Sequence, residues 1–453
     1  MAEKKTTGRR AGMDRRDFLK TAGLAGAGAV AGMGGIVGSA APAAAAVAGP
    51  LGRAADLPPR KGQRVVVVGG GWSGLTLAKY LKKANADFDV VLVEPNAMFM
   101  SCPLSNLWLG GVIGIDILLH SYVEAARNNG YVWLQAMLVQ LDREKRRAWT
   151  TAGYIDYDYI VLAPGIDYDY PSLGVKDPAE AAIVAQAYPA AFKPGSEHLS
   201  LKEKLDNFEE GTFVLNVPPG NYRCLPGPYE RACMIASYFK KEGIKGKVLL
   251  LDPNEEPTIK AEGFLKAFEE LYKDVLEYHT ATTITGVDVG KNQVITEFGE
   301  IEFADASLYP RVRAARLIED LGLNDPKSRQ YEAKIDPFFY NVPGDLHTYV
   351  TGDSRSQPFS KSGNTANTEA KVVAKIIAAR AAGKEPKWES PNTICYSMVN
   401  TDPNESIMVD AKYTFTKDKG WDFTDVKLIT ERSRQLGKAN IEWGKGLYRD
   451  MFM

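Results

Sequence analysis

At 453 residues, 45% apolar and 25% charged, the chain has the composition of a soluble globular protein long enough for two or three domains. Its formal net charge is -1, unevenly spread: residues 1–46 hold seven Lys/Arg against three Asp/Glu, which leaves the remainder acidic. A chain so balanced lacks the basic surface that nucleic acid requires, and that class of partner is excluded.

The basic end begins MDRRDFLK, with Arg15 and Arg16 ahead of Phe18, Leu19 and Lys20, followed by a Gly/Ala run and the small-residue stretch APAAAA. This is the pattern of a twin-arginine export signal over 1–46, with cleavage near Ala43 to Ala46 and a periplasmic destination. The run is too rich in glycine for a good membrane-spanning helix, so no stable membrane insertion is expected. Export places the chain where disulfides persist.

The next segment, RVVVVGGGWSGLTLAKYLKK, joins a valine run to Gly69, Gly71 and Gly74 at GxGxxG spacing and then to a helical pattern. A second run, DVVLVEP, ends at Glu94. In such a unit the first glycine makes the turn, the second admits a pyrophosphate and the third packs helix on strand, while the acid accepts from the adenosine ribose. Two later segments choose between dinucleotides. YDYIVLAPGIDYDY carries Ala163 and Gly165 with Pro164 where a second flavin motif has threonine, and TYVTGD brings Gly352 and Asp353 to the position expected for the ribityl chain. KSGNTANTEAKVVAKIIAARAAG then opens with capping candidates, including Ser362, before an amphipathic helix whose N-terminal dipole favours negative charge. The three motifs in this order predict FAD.

Flavoproteins shaped like glutathione reductase insert a second dinucleotide unit between these motifs. Residues 211–255 occupy that place as strand TFVLNV, helix ERACMIASYFKK and strand KVLLLD, but the turn is NYRCLPGPY. Pro218, Pro219, Pro226 and Pro228 have no N–H to offer a phosphate, so nicotinamide binding is expected to be lost. The predicted fold is α/β, with two dinucleotide-binding domains built on doubly wound sheets and a C-terminal α+β interface domain. The FAD domain is assigned to 62–175 and 310–385, the second unit to 176–309 and the interface domain to 386–453.

Four cysteines stand in different contexts: Cys102 in MFMSCPLSN, Cys224 in the prolyl turn, Cys233 on the following helix among apolar neighbours, and Cys395 in NTICYS. Cys233 reads as core. No CxxC or CxxCH occurs and the four histidines are scattered, so neither a haem attachment nor a metal site is expected. By themselves Cys224 and Cys395 also fit a structural staple.

Together YRCLPGPYERA, SCPLSN, KSGNTAN and NTICYS resemble the flavoprotein subunit of flavocytochrome c sulfide dehydrogenase, from about residue 62 to near the C-terminus. The resemblance implies that Cys102 bonds covalently to the flavin, although Pro103 follows it where the family has tyrosine. It implies a redox disulfide between Cys224 and Cys395, and Glu230 as candidate proton acceptor. In KSGNTAN, Lys361, Ser362 and Asn364 are assigned to the cofactor. The implied chemistry is attack of sulfide on the disulfide, with Cys224 taking the sulfur and Cys395 passing electrons to FAD, the reverse order being open. Arg223 either holds the anion or bridges to an acid. Glu230 reads equally as a first-turn helix stabiliser.

With no haem motif in this chain, the resemblance implies haem c on a separate c-type cytochrome subunit, in a heterodimer. Two other readings are a sulfide:quinone oxidoreductase-like enzyme and a flavin-bearing electron-transfer protein with a merely structural disulfide. The former would use a C-terminal amphipathic segment, but KLITERSRQLGKANIEWGKGLYRDMFM shows no clean apolar stripe. Trp421, Trp443, Tyr448 and Phe452 are expected as core of the last domain.

Overall fold

Strands that read as uninterrupted apolar runs must be covered on both faces, and the valine run at Arg64–Val68 sits at the centre of a parallel sheet. The structure, a computed structural model, describes residues 52–453; the expected export signal lies outside them. The central sheet runs Thr348–Val350, Tyr159–Leu162, Arg64–Val68, Asp89–Val93, Val132–Leu134, all parallel. Because the strands point one way, Gly69, Glu94, Ala163 and Gly352 all follow the same edge. That edge is where ligands bind in an open α/β sheet. The Thr348–Val350 strand arrives from far along the chain and is positioned by its pairing with Tyr159–Leu162 and by backbone hydrogen bonds to Tyr340 and Val342.

A second parallel sheet is ordered Leu276–His279, Lys245–Leu251, Glu210–Asn216, Asp305–Ser307. Its strand Glu210–Asn216 leads through the prolyl turn into a helix that starts at Gly227, ahead of the expected Glu230, because Pro228 is tolerated in a first turn where its missing N–H has no partner anyway. Every residue of this helix from Gly227 to Ser237 is buried. Glu230 and Arg231 are therefore inside the protein, and Cys233 packs in the core as expected.

A three-stranded antiparallel sheet follows: Asn392–Thr401, Asn404–Thr416 and Gly420–Ser433. The C-terminal run reads poorly as one amphipathic segment because it is two elements. The strand ends at Ser433, whose side chain accepts from Leu436 N and caps the helix Arg434–Phe452. This helix packs against the Trp72–Ala84 helix: Tyr80 Oη donates to Asp450 at 2.8 Å, Lys79 Nζ to the Met453 carbonyl at 2.9 Å, and Trp72 and Tyr448 rings lie 5.7 Å apart. Tyr448 and Phe452 are buried, while Trp421 joins Phe338, Phe359 and Trp388 in an aromatic cluster. No helix among the described residues is long and apolar enough to cross a membrane.

Candidate active site

At the glycine-rich turn the three glycines have different reasons to lack a side chain. A Cβ on Gly74 would stand 1.8 Å from the Gly69 carbonyl oxygen, and one on Gly69 would stand 2.3 Å from the Ala163 carbonyl oxygen. A Cβ on Gly71 would meet nothing within 4 Å. Packing therefore accounts for Gly69 and Gly74 but not for Gly71. Gly71 faces open space at the uncapped N-terminus of the Trp72–Ala84 helix, which has no acid in its first turn. This is the shape and the electrostatics that a pyrophosphate needs, so the residues fit a dinucleotide. Glu94 is buried beneath the turn, accepting from Gly70 N at 2.7 Å and from Asn96 N and Nδ2 at 2.9 and 2.6 Å. A carboxylate has about four acceptor sites, which leaves one for a ribose hydroxyl.

The Gly352 turn is carried by a buried ion pair. Arg355 Nε donates to Glu369 at 2.8 Å and the other Glu369 oxygen accepts from Gly352 N at 2.7 Å. Thr351 shares a 2.7 Å hydrogen bond with Ser73, so two flavin motifs distant in sequence are joined directly. Asp353 accepts from Arg223 Nε at 2.6 Å, which decides between the two expectations for Arg223: it bridges to an acid. Burial opposes ionisation of Asp353, but Arg223 and then Lys361 overcome it and hold its carboxyl below the usual range. Gly165 lies against the same arginine, since a Cβ there would be 3.0 Å from Arg223 Nη2.

The prolyl turn is seated on the KSGNTAN segment. Cys224 N donates to the Lys361 carbonyl at 2.8 Å, while Lys361 Nζ donates to the Asp353 carbonyl at 2.6 Å and to Glu332 at 2.7 Å. Cys224 itself has φ 61°, the left-handed region that a non-glycine residue occupies only under constraint. Ser362 caps the Gly363–Ala381 helix by accepting from Thr365 N. Asn364 accepts from Ile394 N at 2.8 Å and so holds the strand that carries Cys395. Of the residues in this segment assigned to the cofactor, Lys361 and Asn364 thus also position the two sulfurs.

Glu230 lies where three segments meet. One oxygen accepts from Met398 N at 2.8 Å, on the Cys395 strand; the other accepts from Asn106 Nδ2 at 2.9 Å, in the helix just after Cys102. Asn106 Oδ1 in turn accepts from Arg231 Nε at 3.0 Å, and Arg231 also donates to the Ala190 and Ala191 carbonyls. A neutral amide therefore separates a buried carboxylate from a buried guanidinium and satisfies both. Burial raises the Glu230 carboxyl above its ordinary range, with Asn106, the Met398 amide and Lys260 opposing the rise. Glu230 thus does more than stabilise a helix end.

Cys102, Cys224 and Cys395 are half-buried and Cys233 is fully buried, and all four are free thiols in this structure. Burial pushes the Cys224 thiol well up, and negative charge on Cys395, Glu230 and Cys102 pushes it further, so these groups form one electrostatic neighbourhood. Burial also raises Cys395, against the pull of Lys260 and a hydrogen bond from Ser397. Cys102 is raised by burial, with Arg223 and Arg231 opposing. Sequence reasoning missed Asn106, Arg231, Lys260, Ser397 and His198. Arg231 and Asn106 stand inside the quoted motifs; nothing in the sequence around Lys260 or His198 marks them.

Residues 63–196 match the family model described as pyridine nucleotide-disulphide oxidoreductase, and residues 198–308 match the central region of the sulfide dehydrogenase [flavocytochrome c] flavoprotein chain. The chain is 54% identical over 44 residues to the sulfide dehydrogenase [flavocytochrome c] flavoprotein chain of Chlorobaculum thiosulfatiphilum, a stretch that is 10% of this chain and 92% of that one. It is 27% identical over 193 residues to the mitochondrial sulfide:quinone oxidoreductase of Mus musculus, and the match spans 41% of each protein. Among solved structures, the sulfide:quinone oxidoreductase of Aquifex aeolicus superposes with a TM-score of 0.66 at 15% identity, over 86% of this chain and 91% of that one. Putidaredoxin reductase in its covalent complex with putidaredoxin gives 0.59 at 17% identity, over 81% and 87%. These likenesses bear out the expected α/β fold with dinucleotide-binding domains, as in FAD-dependent reductases. With the two family models and the 54%-identical stretch agreeing, the chain belongs to the sulfide-oxidising flavoproteins.

Proposed function

We propose that the protein oxidises sulfide through a redox pair formed by Cys224 and Cys395, holds FAD at the Gly69–Gly74 turn with a covalent link at Cys102, and passes electrons to a c-type cytochrome subunit bearing haem c. The observation that carries this reading is the convergence of three sulfurs from three remote segments on Glu230 and its partners, beside the Gly352–Asp353 turn. FAD, when bound, supplies the two-electron acceptor. The chain's own residues do the rest. A disulfide between Cys224 and Cys395 offers an electrophilic sulfur to HS⁻, one S–S bond forms as the other breaks, and one cysteine is left as a persulfide and the other as a thiolate. Glu230, with its carboxyl raised by burial, is placed to take the proton that the hydrosulfide sulfur loses. Arg223 is engaged by Asp353 and serves to hold the turn.

The partner and the compartment rest on the resemblance to flavocytochrome c and on the DRRDFLK motif with its Gly/Ala run. The twin-arginine route carries folded proteins, which suits a chain that binds its cofactor before leaving the cytoplasm. Lysine in place of Arg15 and Arg16 is expected to retain the protein in the cytoplasmic fraction.

The test of the reaction is anaerobic titration of the purified protein with sulfide while following the flavin spectrum. Wild type should bleach. Cys224→Ser and Cys395→Ser should keep their flavin and lose nearly all bleaching, since each sulfur performs a step the other cannot replace. A structural staple would instead cost a few kcal/mol of stability and leave bleaching of the folded fraction intact. The matches to sulfide:quinone oxidoreductases favour a second reading with quinone as acceptor. Against it, the C-terminal helix already spends Tyr448, Met451 and Phe452 on the first domain. Reduction of a soluble quinone analogue faster than of cytochrome c would decide for the quinone.

A further inference from the structure

Lys260 precedes the Ala261–Tyr272 helix in the left-handed region, at φ 56°, and is 3% exposed. Its Nζ donates to Ser397 Oγ at 2.6 Å and to the Cys395 carbonyl at 3.2 Å. An ammonium group has only donors, so Ser397 Oγ accepts in this bond and keeps its own hydrogen for another partner. Cys395 and Ser397 are two residues apart on the Asn392–Thr401 strand and share one of its faces, so the Ser397 hydroxyl stands beside the Cys395 side chain, whose thiol donates to the Tyr396 carbonyl at 3.6 Å. The hydrogen that Ser397 keeps is free for that sulfur, an arrangement that favours its charged form.

The serine beside Cys102 is held by an imidazole rather than by an ammonium. His198 is fully buried and held neutral, its pKa pushed down to about 3 by burial and by Arg231. Its Nδ1 lies 3.2 Å from the Lys193 carbonyl, which can only accept, so Nδ1 carries the hydrogen and Nε2 is the acceptor. Nε2 is 3.1 Å from Ser105 Oγ. Ser105 is therefore shared between His198 and the Cys102 side chain. At Cys224 the strongest charged influences are Cys395, Glu230 and Cys102, all of one sign when ionised, and Lys260 opposes them only as the weakest contributor.

We propose that Lys260, acting through Ser397, is the positioning residue that makes Cys395 the charge-bearing sulfur of the pair, so that sulfide attacks Cys224 and Cys395 departs as the thiolate. The inference rests on the redox-pair reading and gives it a direction. In the step, HS⁻ forms a new S–S bond to Cys224 Sγ as the Cys224–Cys395 bond breaks; the electron pair goes to Cys395 Sγ and no outside oxidant is needed. In thiol–disulfide exchange the lower-pKa thiol leaves faster, which is the asymmetry that an oriented hydroxyl and a nearby ammonium create. The charged groups facing Cys395 are Lys260 ahead of the Ala261–Tyr272 helix, Glu230 from the Gly227–Glu242 helix, and Cys224 from the prolyl turn.

The test uses the reduced holoenzyme and reads the pH midpoint of iodoacetamide alkylation at each cysteine by peptide mass spectrometry. The wild-type midpoint for Cys395 should lie at least about one pH unit below that of Cys224. Lys260→Met should raise the Cys395 midpoint by at least about one unit, roughly a tenfold loss of thiolate at a fixed pH below it. Lys260→Arg should restore the wild-type midpoint, which a merely structural role would not require. If Lys260→Met does not fold, Ser397→Ala carries the test and should shift Cys395 the same way. A lower midpoint at Cys224 in wild type, or an unmoved Cys395 in a folded, flavin-loaded variant, overturns the proposal. This readout uses no sulfide, so it is separate from failure of the redox-pair reading, which shows as absence of bleaching. With one equivalent of sulfide the trapped persulfide mass is expected on the Cys224 peptide, and its appearance on the Cys395 peptide would also overturn the inference.

Discussion

Glu230 accepts the Met398 backbone N–H at 2.8 Å, so a single carboxylate ties the first turn of the Gly227–Glu242 helix to the strand that bears Cys395. Its second oxygen reaches Asn106, four residues past Cys102, and the three segments that supply the sulfurs cannot shift independently. Burial at that junction makes Glu230 an acid that keeps its proton to higher pH, against the opposing pull of these same contacts.

Burial raises the Glu230 carboxyl above the ordinary 4.5. For an acid raised on folding, stability is fullest below the unfolded pKa and falls as pH climbs through the folded value. Glu230→Gln should therefore gain on wild type as pH rises from about 4.5 toward neutrality, read as the difference in urea midpoint at several pH values. If Glu230 takes the substrate proton, sulfide bleaching in this variant should slow by about a hundredfold. Parallel midpoint curves would show that Glu230 titrates like an exposed acid.

The Arg223–Asp353 pair, 2.6 Å apart, has the opposite sign. Asp353 is held below the ordinary 3.8, so its contribution is present above that value and is lost as pH falls through the lower folded one. Asp353→Asn is expected to flatten the acid limb of the stability curve below about pH 4. Arg223→Met leaves the carboxylate buried and unpaired and should cost about 3–5 kcal/mol, most of which Arg223→Met combined with Asp353→Asn should recover. Equal stability of the single and double variants would mean that the pair is not coupled in solution.

Gly71 and Gly74 make a matched experiment. A methyl on Gly74 meets the Gly69 carbonyl at 1.8 Å, whereas one on Gly71 meets open space. In a Cys102→Ser background, where no covalent bond retains the cofactor, Gly74→Ala should lower the melting temperature of the apoprotein, and Gly71→Ala should leave it unchanged while weakening FAD binding. Undiminished FAD affinity of Gly71→Ala in that background would remove the pyrophosphate from that turn.

Acid precipitation of wild type is expected to carry the flavin down with the polypeptide through Cys102, and Cys102→Ser is expected to release it. Since Cys102 is half-buried and Ser is nearly isosteric, the fold should survive, as checked by circular dichroism. Flavin found wholly in the supernatant from wild type would rule out the link.

What the sequence determined by itself is the local machinery. The valine run, the glycine spacing and the Ser362 cap answer to backbone requirements that span a few residues, so they can be read without knowing the fold. Loss of the glycine-rich turn in the second unit was legible for the same reason, since proline removes its own donor. The C-terminal run was harder to read because its period changes from strand to helix at Ser433.

The tertiary structure alone decided which charges face which sulfurs. Lys260 and Ser397, like His198 and Ser105, come from segments with no shared pattern, brought together by parallel crossovers and by the C-terminal sheet closing over the Gly227–Glu242 helix. Hydrogen-bond polarity then sets the direction of each serine hydroxyl, and in a buried site that direction matters because little water is present to screen or replace it. Sequence names the thiols; the three-dimensional placement of the Lys260 ammonium beside the Cys395 strand is legible only in the fold.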